Sequence, residues 1–97
     1  MKKQIDNKNL YVELYKDKEI YYSYNTVVAV KTLLAICVAR NIWSKTTARH
    51  LNKIDEILGS SKKDRVSYDT FNNFCYCNQV NISEFEVNNF IVSRYGH

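Results

Sequence analysis

Trp43-Ser44-Lys45-Thr46-Thr47-Ala48-Arg49-His50-Leu51-Asn52-Lys53-Ile54-Asp55-Glu56-Ile57-Leu58 is the stretch where the periodicity of this chain changes. Thr47, Leu51, Ile54 and Leu58 recur at the spacing that stacks side chains on one face of an α-helix, and His50 and Ile57 widen the stripe. Ser44 or Thr46 supplies an N-cap, because a hydroxyl there accepts from the unpaired backbone N–H groups of the first turn. Gly59 can take the left-handed conformation that closes a helix. Asp55 and Glu56 sit late, where the helix dipole disfavours carboxylates, so this end must be held by packing and by Gly59. The stretch predicts a helix over about residues 45–58.

Upstream the period is two. In Leu10-Tyr11-Val12-Glu13-Leu14-Tyr15, Leu10, Val12 and Leu14 face one way and Tyr11, Glu13 and Tyr15 the other. Lys16-Asp17-Lys18 is a polar break of hairpin length, and Glu19 to Tyr24 resumes with the aromatic and β-branched residues that strands prefer. Asn25-Thr26 breaks the pattern again before Val27-Val28-Ala29-Val30, a third strand. The run Leu33 to Ala39 suits a fourth strand or a short buried helix; the three strands before it favour the strand. Downstream, Gly59-Ser60-Ser61-Lys62-Lys63-Asp64 is a loop, and Phe71, Phe74 and Cys75 mark a second helix past Ser67. Near the end, Val87, Phe90, Ile91 and Arg94 fit a helix, while Phe85 and Val87 alternate with Glu84 and Glu86 as in a strand; helix is the reading taken. The chain thus reads as one α+β domain over residues 1–97. A four-stranded antiparallel β-meander (about 10–39) packs against one long helix (about 45–58) and one or two C-terminal helices (about 67–95).

With 45% hydrophobic and 25% charged residues, the composition is that of a globular domain and not of a disordered tail. The apolar run at Leu33 to Ala39 is far shorter than the roughly 20 residues a membrane-spanning helix needs. Met1-Lys2-Lys3 leads into polar residues and not into a signal sequence, so a cytoplasmic protein without a membrane partner is expected. Three cysteines, an odd number, suit a reducing compartment. Cys75 and Cys77 are half of a metal-binding pattern whose other half is missing, since the only histidines are His50 and His97 and a structural zinc needs four ligands. No metal and no cofactor are expected.

The formal net charge is +4. The excess lies between Lys31 and Arg65, where eight cations face only Asp55, Glu56 and Asp64. Lys45, Arg49 and Lys53 recur every four residues and so line one helical face, away from Leu51 and Ile54. Beside a helix N-terminus, such a face can hold phosphate or an acidic protein surface, and Lys62 and Lys63 add to it; the plainer reading is a solvated face. Of eight tyrosines, Tyr11, Tyr15, Tyr21, Tyr22 and Tyr24 crowd the first two strands, and among them Tyr11, Tyr15 and Tyr22 are candidate partner contacts, since exposed tyrosines bring large area at low entropic cost. The plainer reading is strand filler. His50 is a candidate acid–base group, yet spacing fixes no nucleophile or carboxylate beside it. A hydrogen bond from its ring to backbone, locking helix to sheet, explains it better than a nuclease or toxin site with Arg49. Trp43 reads as an anchor where the last strand turns into the helix.

Tyr22-Ser23-Tyr24-Asn25-Thr26-Val27-Val28-Ala29, taken with Trp43 to Asn52, resembles a small domain of unknown function found in phage and mobile-element proteins. Its pattern runs S-Y-x-T-x-V-A, then W/Y-S-x-T-T-x-x-H-x-N opening a helix. This chain departs from it at the hairpin, where Val27 and Lys31-Thr32 stand in place of a Gly/Asp turn and a proline. The resemblance implies a phage or mobile-element origin and no known activity. Small phage proteins of this kind are often host-directed binders, so the expected function is inhibition or modulation of a host antiviral defence system, in the manner of an anti-CRISPR protein, by protein–protein contact and not by catalysis. The expected partner is a host defence effector, a nucleic-acid-guided nuclease among the candidates. The alternative is a small basic nucleic-acid-binding accessory protein using Lys45, Arg49 and Lys53.

Overall fold

In the computed structural model, which describes residues 2–5 and 9–80, five antiparallel strands lie in chain order across one sheet. They are β1 (Lys2–Gln4), β2 (Leu10–Leu14), β3 (Lys18–Ser23), β4 (Thr26–Thr32) and β5 (Ile36–Val38). Two helices follow, α1 (Lys45–Leu58) and α2 (Tyr68–Cys77), with a short 3-10 turn at Lys62–Asp64 between them.

The α+β class and the meander agree with the sequence reading, and two strand assignments change. A fifth strand, β1, pairs Lys2 with Glu13, Lys3 with Val12 and Gln4 with Tyr11. Its three residues are polar and exposed, so no apolar alternation announces it. The fourth expected strand shrinks to β5, because Leu33, Leu34 and Ala35 form the turn before it. An apolar run shows that residues are greasy and not which of them reach a core. The expected last element, beyond residue 80, lies outside the described residues.

Both faces of the sheet are covered. On one, Leu10, Val12, Tyr21, Val28 and Val38 pack with Leu51 and Ile54 of α1. On the other, Ile20, Tyr22, Val27, Val30 and Cys37 pack with Phe71 and Cys75 of α2. Strand alternation therefore feeds two apolar layers, and Trp43 touches both. Full burial of a side chain such as Leu51 or Ile54 contributes about 2 kcal/mol. The register between β3 and β4 shifts at Tyr21/Tyr22: Tyr21 pairs with Ala29 but Tyr22 with Val27. Val28 is the extra residue, and this bulge lets Val28 and Ala29 both turn toward the α1 layer.

Helix α1 begins at Ser44, whose hydroxyl accepts from the Thr47 N–H at 3.1 Å. It ends at Gly59 in the left-handed conformation (φ 72°), whose N–H donates to the Asp55 carbonyl. The misplaced carboxylate of Asp55 has a specific partner. Arg65 donates to Asp55 Oδ2 from Nη2 at 2.8 Å and from Nε at 3.1 Å, and a second Nη2 contact reaches Asn52 Oδ1 at 3.0 Å. Ser60 Oγ donates to Asp55 Oδ1 at 2.7 Å. Both charged side chains are buried, and they tie the end of α1 to the segment leading into α2.

Removing one partner of a buried ion pair strands the other charge. Asp55→Ala is expected to lower stability by about 3–5 kcal/mol, whereas Asp55→Leu with Arg65→Met recovers most of that loss. Urea unfolding followed by circular dichroism checks both; a single variant within about 1 kcal/mol of the parent would contradict the assignment.

Candidate interaction surface

The residues of the S-Y and W-S-x-T-T-x-x-H segments converge inside the protein. Ser23, at the end of β3, faces α1, and its Oγ lies 2.7 Å from His50 Nδ1 and 2.9 Å from Thr47 Oγ1. Ser44 Oγ donates to Thr47 Oγ1 at 3.3 Å. The Tyr24 ring, carried by a residue with φ 58°, stands 5.8 Å from the His50 ring. His50 thus ties the helix to the sheet as expected, with the Ser23 hydroxyl as a partner of its ring. A serine beside an imidazole has the outline of a nucleophile and its base. With Ser23 only 1% and His50 2% exposed, no substrate reaches the pair. Its role is structural.

The cations separate. Lys45 and Arg49 are exposed on the wet face of α1, as expected. Lys53 is half-buried and bonds Glu56 Oε1 at 3.0 Å. Lys62 and Lys63 are exposed on the 3-10 turn beyond the other end of the helix. Arg65, one of the eight cations of the basic stretch, is buried on Asp55 and adds nothing to the surface charge. The basic face is therefore smaller than the sequence count implies.

The tyrosines separate too. Tyr22 is buried in the α2 layer, with its hydroxyl donating to Glu13 Oε1 at 2.6 Å and Lys2 Nζ 3.9 Å above its ring. It belongs to the core and is not a partner contact. Tyr11 is half-buried against the same layer, and of these three candidates Tyr15, 48% exposed, is the one open to a partner. The hydrogen bond from Tyr22 holds the Glu13 carboxyl below its ordinary range. Burial, and then the bond to Glu13, pushes the Tyr22 phenol well up; Tyr21 is raised in the same way, by burial and by its 2.7 Å bond to Glu19.

Among the described residues, the two most exposed large apolar side chains lie elsewhere, in the turn between β4 and β5. Leu33 is 86% and Leu34 97% exposed. Their backbone is held: Thr32 N–H donates to the Ala35 carbonyl at 2.8 Å, and Thr32 Oγ1 accepts from the N–H groups of Leu34 at 3.3 Å and Ala35 at 3.1 Å. Turns usually carry Gly, Asn, Asp or Ser at such positions. Beside the leucines a cleft of about 320 Å³ is lined by Asp17, Lys18, Thr32, Leu33, Leu34 and Asn78. It adjoins a hollow of about 140 Å³ that reaches Tyr15, Lys16 and Lys31. Sequence reading missed this surface by placing Leu33 and Leu34 in a strand. The available signal was Thr32, whose hydroxyl can nucleate a turn. Chemically the surface can bury apolar groups and attract anions. Among the described residues, no cluster of three or more His, Cys, Asp or Glu is placed to hold a metal ion, and no helix is long and apolar enough to cross a membrane.

Raised phenols make stability depend on alkaline pH. The folded chain keeps protons on Tyr21 and Tyr22 that the unfolded chain releases near pH ~10, so their contribution is complete below that pH and is lost above it. The urea midpoint is expected to fall between about pH 10 and 12, and Tyr22→Phe to flatten part of that fall. A midpoint independent of pH across this window would contradict it.

No curated protein and no solved structure matches the chain. Residues 1–73, which include the whole sheet, α1 and the start of α2, match the model of a family of unknown function, DUF8033. The chain belongs to this family.

Proposed function

We propose that this chain is a phage-encoded inhibitor or modulator of a host antiviral defence system. It acts in the bacterial cytoplasm by docking on an effector protein, such as a nucleic-acid-guided nuclease, without catalysis and without a cofactor. The exposure of Leu33 and Leu34 in a turn fixed by Thr32 carries this reading. Two neighbouring leucines held almost wholly in water gain nothing for the folded monomer, and such a patch fits contact with a partner. Protein contact also agrees with the charge. At +4 the chain cannot imitate a nucleic acid to fill an effector's groove, so it docks on protein surface.

A second reading rests on a separate observation, the exposed pair Lys45 and Arg49 on α1. Under it the chain is a nucleic-acid-binding accessory protein of a phage or mobile element, and binding falls steeply with salt.

Expression of the chain in bacteria with an active RNA-guided defence is expected to raise the plaquing of a targeted phage. Leu33→Ser with Leu34→Ser abolishes the effect, while Lys45→Glu with Arg49→Glu preserves it. The opposite ordering of the two double variants, together with salt-sensitive shifting of DNA or RNA, would favour the second reading. Absence of protection across the RNA-guided systems tested would sink the first.

A further inference from the structure

The hollow beside the leucine turn is lined mainly by charged side chains. Lys16, Lys18 and Lys31 line it with Asp17 and Glu19. Asp17 Oδ1 lies 3.6 Å from Lys18 Nζ, and Glu19, opposite Lys31 in the β3–β4 register, accepts from the Tyr21 hydroxyl, which leaves the hollow with an excess of one positive charge. Lys16 and Lys31 form no ion pair among the described residues, so two unpaired cations line the hollow that adjoins the leucine cleft. We propose that this end of the sheet binds an extended acidic segment of a partner protein, with an apolar side chain in the Leu33–Leu34 cleft and flanking carboxylates on Lys16 and Lys31. This rests on the protein-docking reading above and names the chemistry of the partner.

Shape and charge choose this occupant. The leucines border a concavity, and a side chain fills a concavity with the packing density of a protein interface. A flat bilayer would meet the leucine tips and leave the cleft empty. Nucleic acid would satisfy the lysines and leave both leucines in water. Pre-organisation helps as well. Thr32 fixes the turn before binding, and Tyr15 N–H donates to the Lys18 carbonyl at 2.8 Å in the neighbouring turn, so little backbone entropy remains to be lost.

The test is selection of random peptides displayed on a carrier against the full-length chain, followed by fluorescence anisotropy with the synthesised winners. Leu33→Ser with Leu34→Ser and Lys16→Glu with Lys31→Glu alter exposed positions or half-exposed ones, so both variants stay folded, which circular dichroism verifies. The expected winners combine Asp or Glu with a large apolar residue. The double leucine replacement weakens them about ten-fold or more, and the double lysine reversal about ten-fold. Vesicles of equal parts phosphatidylcholine and phosphatidylglycerol are the second arm, and no leucine-dependent sedimentation is expected. Winners that are neutral or basic, winners indifferent to the leucines, or leucine-dependent vesicle binding would each overturn the proposal. Cellular protection that depends on Leu33 and Leu34 alongside non-acidic winners leaves the docking function standing and removes only the acidic partner. Acidic winners without protection do the reverse.

Discussion

The Ser23 hydroxyl, held between His50 and Thr47 in the interior, is the contact on which the arrangement of sheet and helix depends. A hydroxyl and an imidazole taken out of water cost stability unless each finds a partner, and here they meet across 27 residues of chain. The requirement is strict about position. Ser23 faces α1 only if β3 keeps its register with β2, where it lies opposite Leu10, and only if the following turn begins at Tyr24. Tyr24 accepts a left-handed backbone there, which costs a non-glycine residue about 1 kcal/mol or more. Its ring against His50 and its N–H on the Asn9 carbonyl offset that strain.

A second polar contact performs the same service on the far side of α1. Arg65 on Asp55 fixes where the chain leaves the helix, and the backbone beside it reinforces the exit: Val66 N–H donates to the Val38 carbonyl and Arg40 N–H to the Val66 carbonyl. The chain is thereby led past the edge of the sheet and delivers α2 to the opposite face. Two thin apolar layers on one sheet give a small domain limited burial, so polar contacts of fixed geometry decide the arrangement of its parts.

Much of this was legible in the residues. Helix α1 was predicted at its observed bounds, because capping, periodicity and a closing glycine all point the same way there. The alternation of Leu10, Tyr11 and Val12 correctly separated two faces, though it could not reveal that a second helix would cover the tyrosine side. Lys2–Gln4 went unread because a polar edge strand carries no apolar signal. Leu33 and Leu34 misled for the converse reason: hydrophobicity is a property of the residue, and burial is a property of the fold. The surface candidates suffered from the same gap. Lys45, Arg49 and Tyr15 are where the sequence reading put them, whereas Tyr22 and Arg65 have partners inside that only the three-dimensional arrangement supplies.

The outermost strand has a consequence for how concentrated this protein can become. A meander leaves two borders at which a neighbouring molecule could add a strand and begin a polymer. One border is β1, whose Lys2 and Lys3 would set like charges against those of an incoming copy. At the other, Val66 bridges to Ala39 and occupies backbone beyond β5. Charge at one border and a bridging segment at the end of the other both work against edge-to-edge growth of the sheet.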